Sequence, residues 1–214
     1  MNISTRLVFV IGFTFASIVN VNANVILSLD PPAQTSYSSD IVSVSIIIAD
    51  LGHLVPLSLS AFDLNIEFDP SVLSYTGYSL FDQLGDVGFF DAEDFSLGED
   101  SPGFVNISEV SYLPNSDLWN LQPSSFVLAE LFFSVNALVS TQTTNLSFES
   151  IDLVDVNGDT INISAVNNAS ITATVSSPAS LLLMSMALIV MFVRQKNFLL
   201  GIKNLNQNNP LKSK

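Results

Sequence analysis

Leu59-Ser60-Ala61-Phe62-Asp63-Leu64-Asn65-Ile66-Glu67-Phe68-Asp69-Pro70 alternates with a period of two. Phe62, Leu64, Ile66 and Phe68 share one face, and Asp63, Asn65 and Glu67 share the other. Side chains on a strand point alternately to opposite sides, so this stretch predicts a strand with one buried and one wet face. Asp69-Pro70 ends it with turn chemistry. Upstream, Val42, Val44, Ile46 and Ile48 repeat the pattern against Ser43 and Ser45. Downstream, Val127, Ala129, Leu131, Phe133 and Val135 form a third apolar face. Leu146 and Phe148 open a fourth strand that continues into Ile151–Val156, and Ile161–Ala165 and Ile171–Val175 follow. Val25–Leu29, Val72–Tyr78 and Phe104–Tyr112 are shorter candidates. One-sided faces predict an all-β, antiparallel sandwich of about nine strands, with each sheet covering one core. Turns are expected at Asp30-Pro31-Pro32, Gly85–Gly88, Leu113-Pro114-Asn115 and Asn157-Gly158, the last as a type I′ hairpin.

Charge is segregated along the chain. All 20 acidic residues lie between Asp30 and Asp159, whereas the six basic residues are Arg6, Arg194, Lys196, Lys203, Lys212 and Lys214. Positive charge stays on the cytoplasmic side of membrane segments, so the ends read as cytoplasmic and the middle as exported. Arg6 followed by the apolar run Leu7–Val19 and by Val21-Asn22-Ala23 fits a secretory signal over 1–23, cleaved between Ala23 and Asn24. Ala179–Val193 is a second apolar run, stopped by Arg194 and Lys196, and predicts one transmembrane helix. The expected organisation is thus signal 1–23, sandwich 24–176, span and basic stop 177–196, and cytoplasmic tail 197–214.

The same composition excludes several chemistries. Without cysteine there is no disulfide scaffold, zinc–thiolate site or thiol nucleophile. The acidic middle opposes binding to phosphate backbones, so no nucleic-acid partner is expected. His53 would have to serve any Ser-His-Asp triad, and it sits in a loop-like stretch, Leu51–Pro56. Many carboxylates are present, yet no motif pairs two of them for glycoside hydrolysis. The sequence therefore predicts a protein that is not an enzyme.

Two resemblances follow from particular residues. Leu59–Leu73, with its Phe-Asp-Pro segment, is similar to the cohesin-type sandwich, a jelly-roll-like fold. Asp40–Ile46, Leu128–Val135 and Phe148–Gly158 resemble other strands of that family in order. Ser176-Ser177-Pro178-Ala179-Ser180, followed by an apolar run and Arg194, resembles the PEP-CTERM sorting tail, with Ser176-Ser177-Pro178 standing where Pro-Glu-Pro is usual. This second resemblance implies an exosortase substrate, anchored first at the inner membrane and then released to the cell envelope or an extracellular matrix. The cohesin resemblance implies adhesion or partner binding, with another surface protein or an extracellular polysaccharide as partner.

Three other features bear on ligands. Asp91, Glu93, Asp94, Glu99 and Asp100 lie in an acidic stretch, where hard cations such as calcium find oxygen ligands. A solvated acidic loop is the alternative. Trp119 and Tyr112 are candidate glycan contacts for a carbohydrate-binding module, since aromatic rings combine apolar area with a polar tip. Packing in a loop is the alternative for both. Four Asn-x-Ser sequons, at Asn106, Asn145, Asn162 and Asn168, suit a rival reading as a glycosylated single-span eukaryotic surface protein.

Overall fold

A computed structural model describes residues 25–51, 58–136, 140–175, 184–192 and 194–196. Between residues 25 and 175 the described residues form twelve strands in two sheets, one short helix and two 3-10 turns. The strands are β1 (Val25–Asp30), β2 (Ala33–Tyr37), β3 (Ile41–Ala49), β4 (Leu59–Glu67), β5 (Leu73–Leu80), β6 (Ala92–Asp94), β7 (Gly98–Ser101), β8 (Phe104–Ser111), β9 (Phe126–Val135), β10 (Gln142–Asp155), β11 (Ile163–Asn167) and β12 (Ala169–Thr174). One sheet has the order β11-β1-β3-β9-β5. The other has the order β2-β12-β10-β4-β8-β6, with β7 also paired to β8.

The expected inward faces form the core. Val42, Val44, Ile46 and Ile48 of β3 are buried, as are Phe62, Leu64 and Ile66 of β4 and Phe68 beyond its end. Phe133, near the end of β9, is fully buried and takes Phe68 edge-on at 5.1 Å and Tyr75 edge-on at 5.9 Å between ring centroids. Each large apolar side chain buried this way contributes on the order of 2 kcal/mol, which holds a sandwich of this size together without disulfides.

The strand count and the purely antiparallel pairing are corrected. β1 pairs with β11 in parallel, and β2 pairs with β12 in parallel. Asp30-Pro31-Pro32 is therefore not a hairpin turn. There the chain passes from one sheet to the other, and Asn168 marks the same passage between β11 and β12. The two crossings run side by side, tied by the Ser170 N–H donating to the Pro32 carbonyl at 3.0 Å.

Bulges shift the expected faces in β9 and β10. Ile46 opposes Ala129 while Ile47 opposes Val127, so Leu128 is an extra residue. Phe126 and Leu128 point inward before it, Ala129, Leu131, Phe133 and Val135 after it, and Val127 is half-buried. Glu149 is the extra residue of β10, which lets one strand present Leu146 and, after the bulge, Leu153 to the core.

Two turns also differ from expectation. Asn115–Leu121 is a helix, α1, starting from Pro114 and anchored by buried Leu118. At seven residues it is too short to reveal a helical period. Asn157-Gly158 is not type I′, because only Gly158 has positive φ and that turn needs it at both positions. A three-residue loop closes instead, with the Gly158 N–H donating to the Asp155 carbonyl and the Asp155 N–H to the Asp159 carbonyl.

Residues 184–192 and 194–196 are helical. Among the described residues no helix is long and apolar enough to cross a membrane. Part of the expected span Ala179–Val193, the signal with Ala23 and Asn24, the sorting motif Ser176-Ser177-Pro178, the tail 197–214 and His53 lie outside the described residues.

Candidate functional site: a polar sheet face and an acidic, aromatic edge

The outer face of β4, β8 and β10 carries two cross-strand rows. Asn106, Asn65 and Ser150 occupy consecutive register positions, and so do Ser108, Asp63 and Asp152. Within the first row Asn65 Nδ2 donates to Ser150 Oγ at 2.6 Å. Asn106 Nδ2 donates to Asp63 Oδ1 at 2.6 Å and to Asn65 Oδ1 at 3.1 Å. Asn106 is only 7% exposed, so its amide nitrogen belongs to this network. The remaining sequon asparagines, Asn145, Asn162 and Asn168, are exposed. Asp63 and Asp152 are exposed and directly opposed, an arrangement that disfavours the sheet unless a cation approaches from outside.

The second surface lies at the edge formed by β6 of one sheet and β5 of the other. Successive residues of a strand point to opposite sides, so Glu93 faces out and Asp94 faces in. Glu93 accepts the hydroxyl of Tyr112, which lies just beyond β8. Asp94 accepts the Tyr78 hydroxyl at 2.6 Å and the Ser96 N–H at 2.9 Å. Glu99 accepts from the Gly103 N–H, and Asp100 from the Ser101 hydroxyl. Asp91 fixes the edge through its backbone, accepting from the Tyr112 N–H at 2.8 Å. Four of these five acids, Glu93, Asp94, Glu99 and Asp100, thus have side-chain partners of their own, and among the described residues no three metal-binding side chains come together.

Between β5 and β6 run two 3-10 turns, Asp82–Leu84 and Val87–Phe89. Gln122, at the end of α1, pins the first turn to β4. It accepts from the Leu59 N–H at 2.9 Å, and its amide group donates to the carbonyls of Leu59 and Gln83. Asp86 caps the second turn by accepting the Gly88 N–H at 2.7 Å. Phe90 closes that turn in the left-handed region, at φ 63°, where glycine is the usual occupant. Phe89 and Phe90 are 78% and 85% exposed. Trp119, on α1 rather than in a loop, is 40% exposed, and Tyr112 is 59% exposed.

Glu109 lies behind this edge. It follows Val105 and Ile107 on the core side of β8, is fully buried, and neither carboxyl oxygen has a hydrogen-bond partner. Burial, with a smaller push from Asp94, raises its pKa to about 8. Its place in the Val105-Ile107-Glu109 alternation is the sequence signal that would have found it. Phe89 and Phe90 carry no such signal, since nothing in two adjacent aromatics tells an exposed turn from a core.

No protein-family model matches the chain, and no curated protein matches it. Solved structures do. A cohesin of Clostridium acetobutylicum superposes with a TM-score of 0.57 at 22% identity, over 73% of this chain and 95% of that one. The fold is cohesin-like. A type II cohesin domain from the cellulosome of Acetivibrio cellulolyticus matches with a TM-score of 0.52 at 22% identity, over 70% of this chain and 95% of that one. The sixth cohesin of scaffoldin B from the same organism, solved in complex with a dockerin, matches with a TM-score of 0.53 at 14% identity, over 72% and 99%. At such identities the likeness to these cohesins is one of fold.

Proposed function

We propose that this chain is an exported, non-enzymatic binding module that holds a protein partner on the outer face of β4, β8 and β10. The observation that carries this reading is the pair of polar rows. Asn106, Asn65 and Ser150 are hydrogen-bonded into place before any partner arrives, and the second row ends in the directly opposed, exposed pair Asp63 and Asp152. Side chains held in their bound arrangement lose little freedom on association, and facing charges select a partner that brings Lys or Arg. Cohesins solved with dockerins support a protein as the partner class. The segregated charge and the resemblance of the C-terminal region to a sorting tail support delivery by an exosortase-type system.

A photo-crosslinking amino acid at position 65, compared with one at position 79 on the other sheet, tests the partner in the native host. The expected outcome is one protein adduct from position 65 that is lost on Asp152→Lys. Equal crosslinking from both positions, or adducts to polysaccharide alone, would overturn the protein-binding reading in favour of none or of a carbohydrate-binding module. Sorting is tested by the intact mass of the protein from its host. A species from Asn24 to about Ser176 supports processing, and one that retains Arg194–Lys214 refutes it.

A further inference from the structure

We propose that the groove between β5 and the two 3-10 turns takes a lysine or arginine side chain of a partner protein, with Phe89 and Phe90 receiving an apolar neighbour of that residue. The groove encloses about 480 Å³. Its lining has two chemistries: Leu80, Phe81 and Val87 are apolar, while Asp82, Asp86 and Asp94 are carboxylates. A long basic side chain has the same two chemistries, an apolar stem and a cationic head. Tyr78 adds an aromatic ring to the lining, a surface that attracts cations.

Charge complementarity selects this occupant over a plain apolar one. No lysine or arginine occurs in residues 7–193, so no such side chain of the sandwich can reach these carboxylates. A bound metal ion is disfavoured, because among the described residues no three ligands converge. Phe90 strengthens the apolar half of the argument. Its left-handed backbone costs about 1 kcal/mol relative to glycine, and its exposed ring gains nothing within the chain to offset that. The groove uses none of the residues of the outer sheet face, so it stands or falls independently of the reading above.

The test is amide-resolved NMR of the isotopically labelled full-length chain in detergent, titrated with acetyl-Leu-Arg-Leu-amide and with its glutamine counterpart. The arginine peptide is expected to move the amides of Asp82, Asp86, Val87 and Phe89. The glutamine peptide should bind about tenfold or more weakly, and added salt should weaken the arginine peptide. Asp82→Asn and Asp86→Asn should each weaken binding by about threefold or more. Both keep an acceptor oxygen and lie on the surface, so unchanged shifts elsewhere verify the fold. Equal binding of the two peptides, no shift at the groove, or displacement of the arginine peptide by millimolar calcium would each overturn the proposal.

Discussion

Tyr78 donates its hydroxyl to Asp94 at 2.6 Å, which joins the edge strand of one sheet to the edge strand of the other. Tyr75, two register positions along β5, carries a buried hydroxyl with no hydrogen-bond partner. The two phenols therefore predict opposite outcomes for the same chemical change. Tyr78→Phe should destabilise by about 1 kcal/mol, the low end for a bond to a carboxylate, because Asp94 keeps the Ser96 N–H. Tyr75→Phe should be neutral or stabilising by up to about 1 kcal/mol, since it deletes an unsatisfied polar atom. Urea unfolding midpoints of the two variants, compared at equal slope, check the pair.

Glu109 predicts an unusual dependence of stability on pH. Its carboxyl has a pKa of about 8 when folded against 4.5 as a free group, so the folded state binds the extra proton between those values. The stability it permits is full below 4.5, declines as pH rises to about 8, and is flat above that. Asp155 works the other way. Burial pushes its carboxyl up, but the N–H groups of Asp159 and Asn157 outweigh burial and hold it below 3.8. That contribution is present above 3.8 and is lost as pH falls through the lowered value. Maximum stability is expected near pH 4–5. Glu109→Gln should flatten the decline between pH 5 and 8, and denaturant midpoints measured across that range decide it. An unchanged slope in the variant would assign the decline to the general repulsion of the acidic sandwich instead.

Most of the core was legible because alternation is a local property. Val42–Ile48 and Phe62–Phe68 are legible from their own residues, since each of these stretches keeps one phase throughout. The phase breaks at Leu128 and Glu149 were not legible. A bulge is specified by the partner strand and by what the extra residue relieves, neither of which is adjacent in sequence. The parallel pairing of β1 with β11 and β2 with β12 joins the two ends of the sandwich, so it too is invisible to a local reading. For the edge surface the acids were evident in the sequence, but the partner that each side chain takes was not. Glu93 and Asp94 are neighbours in sequence and lie on opposite faces of β6.

Gly85 and Gly158 both have positive φ, at 127° and 84°, yet they predict unequal costs. A Cβ at Gly158 would meet nothing within 4 Å, so Gly158→Ala should cost only about 1 kcal/mol of backbone strain. A Cβ at Gly85 would lie 2.9 Å from the backbone carbon and oxygen of Asp91, which cannot move without disturbing the Tyr112 N–H bond. Gly85→Ala should therefore cost more than about 2 kcal/mol. Thermal unfolding of both variants checks the order, and near-equal costs would mean that the turn carrying Asp86 and Phe90 yields to fit the methyl group.

Phe90 closes its turn in a conformation that suits glycine, with its ring 85% exposed. Burial contributes little at such exposure, so the ring cannot compensate for the strained backbone from within the chain. Phe90→Gly should relieve the strain, partly offset by the greater freedom of the unfolded glycine, and leave the protein as stable or more stable by about 0.5–1 kcal/mol. The same change should weaken a peptide that carries leucine beside arginine, while leaving the arginine-dependent discrimination at Asp82 and Asp86 in place. Melting temperature and peptide affinity measured on one preparation separate the two effects. A variant that loses stability would show that Phe90 packs usefully within the chain, and its exposure would then give no reason to look for a partner there.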